Sequence, residues 1–120
     1  MNGIQERPTK SAVAVAYLRS ATAEHPQCRR HLKRQLRRCE AYAHELGISI
    51  STVYVDLGVS GLDEQRPGLM RLLRELPDRH IRYVTAASLA PVARNAQYAL
   101  SVERQIGHSG ATLIIDDDSN

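Results

Sequence analysis

The sequence predicts an α/β fold: a three-layer sandwich in which a mostly parallel sheet of four to five strands carries helices on both faces. Three observations support it. Short apolar runs alternate with longer amphipathic stretches in the order β-α-β-α-β-α-β. A chain of 120 residues suits a single domain with one core, here spanning 1–120. Hydrophobic residues at 42% and charged residues at 24% are globular proportions and exclude a disordered chain.

Each element has its own justification. Residues 1–10 are polar, as in a frayed terminus. Ala12–Tyr17 (AVAVAY) is apolar without alternation, the pattern of a strand buried on both faces. After the polar stretch Arg19–Gln27, the residues Leu32, Leu36, Cys39, Ala43 and Leu46 recur at four-three-four-three spacing, one stripe of an amphipathic helix. Pro26 suits its first turn and Gly47 its C-terminal cap. Ile50–Val55 (ISTVYV) is rich in β-branched residues and reads as the second strand. Asp56–Arg66, with Gly58 and Gly61, reads as a loop. Pro67 opens a helix through Leu69, Leu72, Leu73 and Leu76, and Pro77 closes it. Ile81–Ala87 is the third strand, Ala93–Ile106 the third helix with Gly107 and Gly110 in the turn after it, and Ala111–Ile115 (ATLII) the fourth strand. Asp116, Asp117 and Asp118 follow as a solvated tail.

The net charge is +3, but its distribution is uneven. Arg29, Arg30, Lys33, Arg34, Arg37 and Arg38 all lie between Cys28 and Cys39, and every basic residue other than Lys10 and Lys33 is Arg. Arg presents a planar fork to phosphate oxygens, so this bias leans toward a phosphate or nucleic-acid partner; a solvated helix face is the plain alternative. Cys28 and Cys39 would stand roughly 16 Å apart on one helix, beyond disulfide reach, and read as free thiols in a reducing compartment. His25, His31, His44, His80 and His108 show no metal-ligand spacing, so no metal or other cofactor is expected. With neither a signal-peptide pattern nor an apolar run of membrane length, the chain is expected in the cytoplasm, away from membranes.

Ligands of an open parallel sheet bind beyond the carboxyl ends of its strands. That rule nominates Leu18–Gln27, Asp56–Arg66 and Ser88–Asn95, which contribute Arg19, Arg66 and Arg94. Three arginines converging there would make a phosphate site. Nucleotide-binding loops are excluded, since neither GxGxxG after the first strand nor GxxxxGK[ST] is present.

At these loops the chain resembles the N-terminal catalytic domain of the serine site-specific recombinases, the resolvase/invertase family, from about Ala12 to Asp117. The most specific stretch is Tyr54–Leu73 (YVDLGVSGLDEQRPGLMRLL), similar to the family's F-x-D-x-G-x-S-G-…-R-P-G-L segment. Ala16–Thr22 (AYLRSAT) resembles the first motif, Y-x-R-V-S-T, and Gln35 and Ile115-Asp116-Asp117 also fit. The resemblance implies metal-free attack of a serine on a DNA phosphodiester, with arginines stabilising the five-coordinate phosphate and strands exchanged in a tetramer. It places Arg19, Ser60, Arg66 and Arg94 around the phosphate, with Asp56 orienting the loop. The departures fall on the chemistry. Ala21 stands at the nucleophile's position and Ser20 at the usual Val; in an extended chain Ala21 shares a face with Arg19 while Ser20 points away. Where the family has K-L-D-R-L-S-R, this chain has Ser88-Leu89-Ala90-Pro91-Val92-Ala93-Arg94.

The resulting expectation is a divergent, cleavage-deficient recombinase domain that binds DNA backbone with low sequence specificity through Arg30, Lys33, Arg34, Arg37 and Arg38. It would act as a homodimer or beside an active recombinase. The family's dimer-forming helix and DNA-binding module follow the fourth strand, and this chain ends at Asn120 before either, so targeting is expected to come from elsewhere. Two alternatives stay open: an active strand-cleaving domain using Ser20, and an interaction module whose basic helix meets an acidic protein with no nucleic acid.

Overall fold

A computed structural model describes residues 13–20, 27–57, 66–86 and 96–115. The elements are β1 (Val13–Ser20), α1 (Gln27–Glu45), β2 (Ile50–Leu57), α2 (Pro67–Asp78), β3 (Ile81–Ala86), α3 (Ala96–His108) and β4 (Thr112–Ile115). Among the described residues the sheet has four strands in the order β2-β1-β3-β4, and every pairing is parallel.

That order dictates the layers. The chain steps from β1 outward to β2, then returns past β1 to β3 and on to β4. Right-handed crossovers in opposite directions must lie on opposite faces. Accordingly Ala16 and Leu18 of β1 pack with Leu32, Leu36 and Cys39 of α1. On the other face Val15 and Tyr17 pack with Leu69, Leu72 and Leu76 of α2 and with Val102 and Ile106 of α3. The two-residue period of the strand sorts its side chains between the layers, so β1 is apolar at every position from Val13 to Leu18. Leu72 and Leu76 are at most 1% exposed, and burying each contributes about 1.5–3 kcal/mol. No helix among the described residues is long and apolar enough to cross a membrane.

Several boundaries differ from the sequence expectation. β1 runs three residues past Tyr17, because Leu18, Arg19 and Ser20 find register partners in Val55, Asp56 and Leu57 of an equally extended β2. Arg19, Ser20 and Asp56 are therefore strand residues, not loop residues. Pro77 lies inside α2: its ring disturbs only the turn behind it, and the helix ends one residue later at Asp78. His80 then takes a left-handed φ of 55° to turn into β3. Gly107 is helical and Gly110, at φ 91°, makes the turn after α3. Leu46 drops out of the α1 stripe; the helix stops at Glu45, Gly47 takes φ 75°, and Leu46 is exposed. Both cysteines are buried and neither is in a disulfide, which matches the thiol expectation. α1 lies over β1 and β3, and the α1-side row of the edge strand β2 (Val53, Val55 and Leu57) remains exposed.

Candidate functional site

The carboxyl ends of β1 and β3 flank the point where the crossovers diverge, the place where an open parallel sheet forms a crevice. On its α2 side the structure gathers Tyr17, Arg19, Asp56 and Arg66. Asp56 organises them. It is the register partner of Arg19 and is 3% exposed. Its Oδ1 accepts the Gly68 N–H at 2.6 Å, and its Oδ2 accepts the Leu69 N–H at 3.0 Å and the Tyr17 hydroxyl at 2.8 Å.

Asp56 thereby caps α2 from a neighbouring strand. The residue at the N-cap position is Arg66, whose side chain makes no cap hydrogen bond; Pro67 occupies the first helical position, where a missing N–H costs nothing. The remote carboxylate satisfies the next two N–H groups and meets the positive end of the helix dipole. Such an approach requires glycine at 68. A Cβ there would stand 2.6 Å from the Val55 carbonyl oxygen and 3.0 Å from Asp56 Oδ1. The Arg-Pro-Gly stretch thus has a physical meaning: an arginine at the helix mouth, a rigid first turn, and space for an aspartate.

Arg66 is 1% exposed and ranks first by volume among the fully buried side chains. Its charge is felt by its neighbours. Burial, followed by repulsion from Arg66, holds Arg19 below the usual guanidinium value, while Tyr17 and Asp56 pull the other way. Burial, then the hydrogen bond to Asp56, pushes the Tyr17 hydroxyl well above its ordinary value, and Arg66 opposes this. Tyr17 therefore stays a neutral donor. Among the described residues the cluster sets two guanidinium groups against one carboxylate whose oxygens are already engaged, an excess of positive charge that attracts an anion.

Ser20 lies elsewhere. It is 4% exposed, pairs with Leu57, and has the strand parity of Ala16 and Leu18, the residues packed under α1. The one register irregularity between β1 and β2 falls between Ala14 and Val15, so the alternation from Val15 to Ser20 is regular. Ser60, Arg94 and Ala21 lie outside the described residues.

The second cationic region is the outer face of α1. Arg30, Lys33, Arg34 and Arg37 are exposed, and their i, i+3, i+4, i+7 spacing puts them on one face, opposite the buried Cys28, Cys39 and Ala43. Arg38, also in the expected set, is half-buried and engaged by other groups. α1 and the Arg19–Arg66 cluster occupy opposite faces of the sheet, so the structure does not bring the two groups of candidate residues together.

Comparison with known proteins decides the lineage. Residues 14–120 match the family model described as the resolvase N-terminal domain. The chain belongs to the resolvase family of serine recombinase domains. As a resolvase domain it is 25% identical to the C-terminal catalytic domain of ISC1926 TnpA, an IS607-like serine recombinase, with a TM-score of 0.69 over 86% of this chain and 66% of that one. A resolvase-family site-specific recombinase from Streptococcus pneumoniae is 26% identical, with a TM-score of 0.70 over 90% of this chain and 74% of the other. The N-terminal catalytic domain of TP901-1 integrase shares the fold at a TM-score of 0.73, with 23% identity over 88% of this chain and 79% of that one. The chain thus spans just under two thirds of the first of these relatives. No curated protein sequence matches it.

Tyr17 and Gly68 belong to the same cluster through their bonds to Asp56, though residue chemistry alone did not single them out. Their signal was position within the Y-x-R and R-P-G stretches; what they do becomes visible only when β1, β2 and α2 are brought together.

Proposed function

We propose that this resolvase-family domain serves DNA recombination by holding a backbone phosphate without cutting it. The observation that carries the reading is the pairing of Arg19 and Arg66 at the switch-point crevice, while Ser20, nearest in sequence, has the opposite strand parity.

The arginines' role follows from their surroundings. Arg66 is held at the mouth of α2 and Arg19 opposite Asp56, so both guanidinium groups are placed before any ligand arrives. Little side-chain entropy is then lost on binding, which favours recognition of an anion. A bound phosphate also relieves the Arg19–Arg66 repulsion. Strand cleavage needs in addition a nucleophile, and the position that the resemblance assigns to it carries Ala21. Ser88, Ala90 and Pro91 replace further charged residues of the family pattern, and losing even one charged stabiliser of a developing transition state typically costs about two to three orders of magnitude in rate. Ser60, Arg94 and Asp56 complete the site as the family resemblance implies it.

The outer face of α1 adds a second, low-specificity contact. Arg30, Lys33, Arg34 and Arg37 spread along about 10 Å of helix, enough to follow several backbone phosphates. Because they lie on the other layer, the domain would meet DNA on two sides, as in an assembly with a second copy or with an active recombinase.

Binding to a short duplex at several salt concentrations tests this. The expected log–log slope is several units negative, each neutralised phosphate contributing about −0.9. Arg19→Ala and Arg66→Lys should each weaken binding. Salt-independent binding, or none, would remove the proposal in favour of a protein-only partner.

A further inference from the structure

The end of β1 carries a structural problem that one side chain solves. Among the described residues the pairing of β1 with β3 reaches Tyr17↔Ala86, whereas the pairing of β1 with β2 continues to Ser20. In a parallel strand the N–H and C=O of one residue point to the same side. Two residues beyond Tyr17, at Arg19, both groups are taken by Gln35 of α1. Arg19 N–H donates to Gln35 Oε1 at 3.1 Å, and Gln35 Nε2 donates to the Arg19 carbonyl oxygen at 2.8 Å.

A primary amide has the same donor–acceptor pair as a peptide group, so Gln35 acts as a one-residue strand. Asn is too short to span both groups from a helix, and Glu lacks the donor. An amide reaching down from α1 satisfies them from the opposite layer. Gln35 is itself half-buried, so its geometry is constrained by packing beside Leu36 and Leu32.

We infer that Gln35 is a positioning residue: it holds the Arg19 backbone so that the Arg19 guanidinium stands beside Asp56 and Arg66 at the edge of the crevice. This inference rests on the reading of that crevice as a phosphate site. It assigns Gln35 no contact with the phosphate and no part in the outer basic face of α1.

The test is a double-mutant cycle on duplex binding at fixed salt. Gln35→Met keeps the volume and removes both hydrogen bonds. It should weaken binding about five- to tenfold, the range expected from one or two net hydrogen bonds. In the Arg19→Ala background the same change should have no further effect, because the group that Gln35 positions is gone. A general loss of structure would instead weaken both backgrounds equally. Hydrogen exchange gives the independent readout, with the Arg19 amide protected in the wild type and exchanging faster in Gln35→Met. Should that variant not fold, Gln35→Asn carries the same cycle.

Unchanged affinity in the Gln35 variant, or equal losses in the two backgrounds, would overturn the inference while leaving the phosphate site intact. If Arg19→Ala itself left affinity unchanged, the site reading would fail and the positioning role with it.

Discussion

The two cationic regions of this domain are built on opposite plans. At the mouth of α2, two arginines are fixed by a buried apparatus of Tyr17, Asp56, Gly68 and Gln35, drawn from both strands and both helical layers. On the outer face of α1, four cations stand in solvent at helical spacing on a scaffold whose other face does the packing. The first arrangement gives direction at the expense of tolerance. The second gives charge with little geometry. A site that must meet one phosphate in one orientation needs the former, whereas a surface that follows a polymer backbone needs only the latter.

This contrast is most easily broken at Asp56. Asp56→Ala leaves the Tyr17 hydroxyl and the Gly68 and Leu69 N–H groups without their acceptor, and three such losses in and around a buried site should cost about 3–5 kcal/mol. Urea denaturation measures it; a loss below 1 kcal/mol would mean the apparatus is not rigid. Gly68→Ala comes next. A Cβ 2.6 Å from the Val55 carbonyl oxygen forces α2 away from β2, for about 1–3 kcal/mol, and should lower duplex affinity by displacing Arg66.

A pH effect sharpens the comparison further. Burial first, and the bond to Asp56 second, raise the Tyr17 hydroxyl above its ordinary value. The fold therefore favours the neutral phenol. Its contribution is complete below about pH 10, the unfolded value, and is lost as pH climbs toward the higher folded value. Tyr17→Phe should flatten that alkaline decline in melting temperature without abolishing it, because burial also raises Tyr54, packed against Glu75 and Arg79. An unchanged decline would show that Tyr17 is not held as described. The smallest effect on stability belongs to α1. Arg34→Ala and Arg37→Ala should shift stability by no more than about 0.5 kcal/mol, yet each should reduce the salt slope of duplex binding by about 1.

The same contrast governs how much the sequence revealed. The α1 face was legible because spacing on one helix is a local property, and so were the order of elements and the parallel sheet, which follow from apolar patterning. The ends of β1 and β2 were not. Whether Arg19 and Ser20 are strand or loop depends on partners in β2, 37 residues away for Arg19↔Asp56, and Asp56 itself looked like the start of a loop because Gly58 follows so closely. Arg66 carried no sign of its burial, since arginine is ordinarily a surface residue. Leu46 erred in the other direction: its spacing fits the stripe, but the left-handed Gly47 turns the chain before it can pack. Tertiary contact, which no window of sequence contains, decided the strand ends and Arg66; a local turn decided Leu46.

The separation of phosphate holding from phosphate cutting is the account's central claim. It is tested most directly by incubating the wild-type domain and Ser20→Ala with nicked and intact duplex DNA, then resolving the products on a denaturing gel. Salt-sensitive binding before denaturation and no covalent protein–DNA adduct from either protein are the expected results. An adduct formed by the wild type and abolished by Ser20→Ala would contradict it.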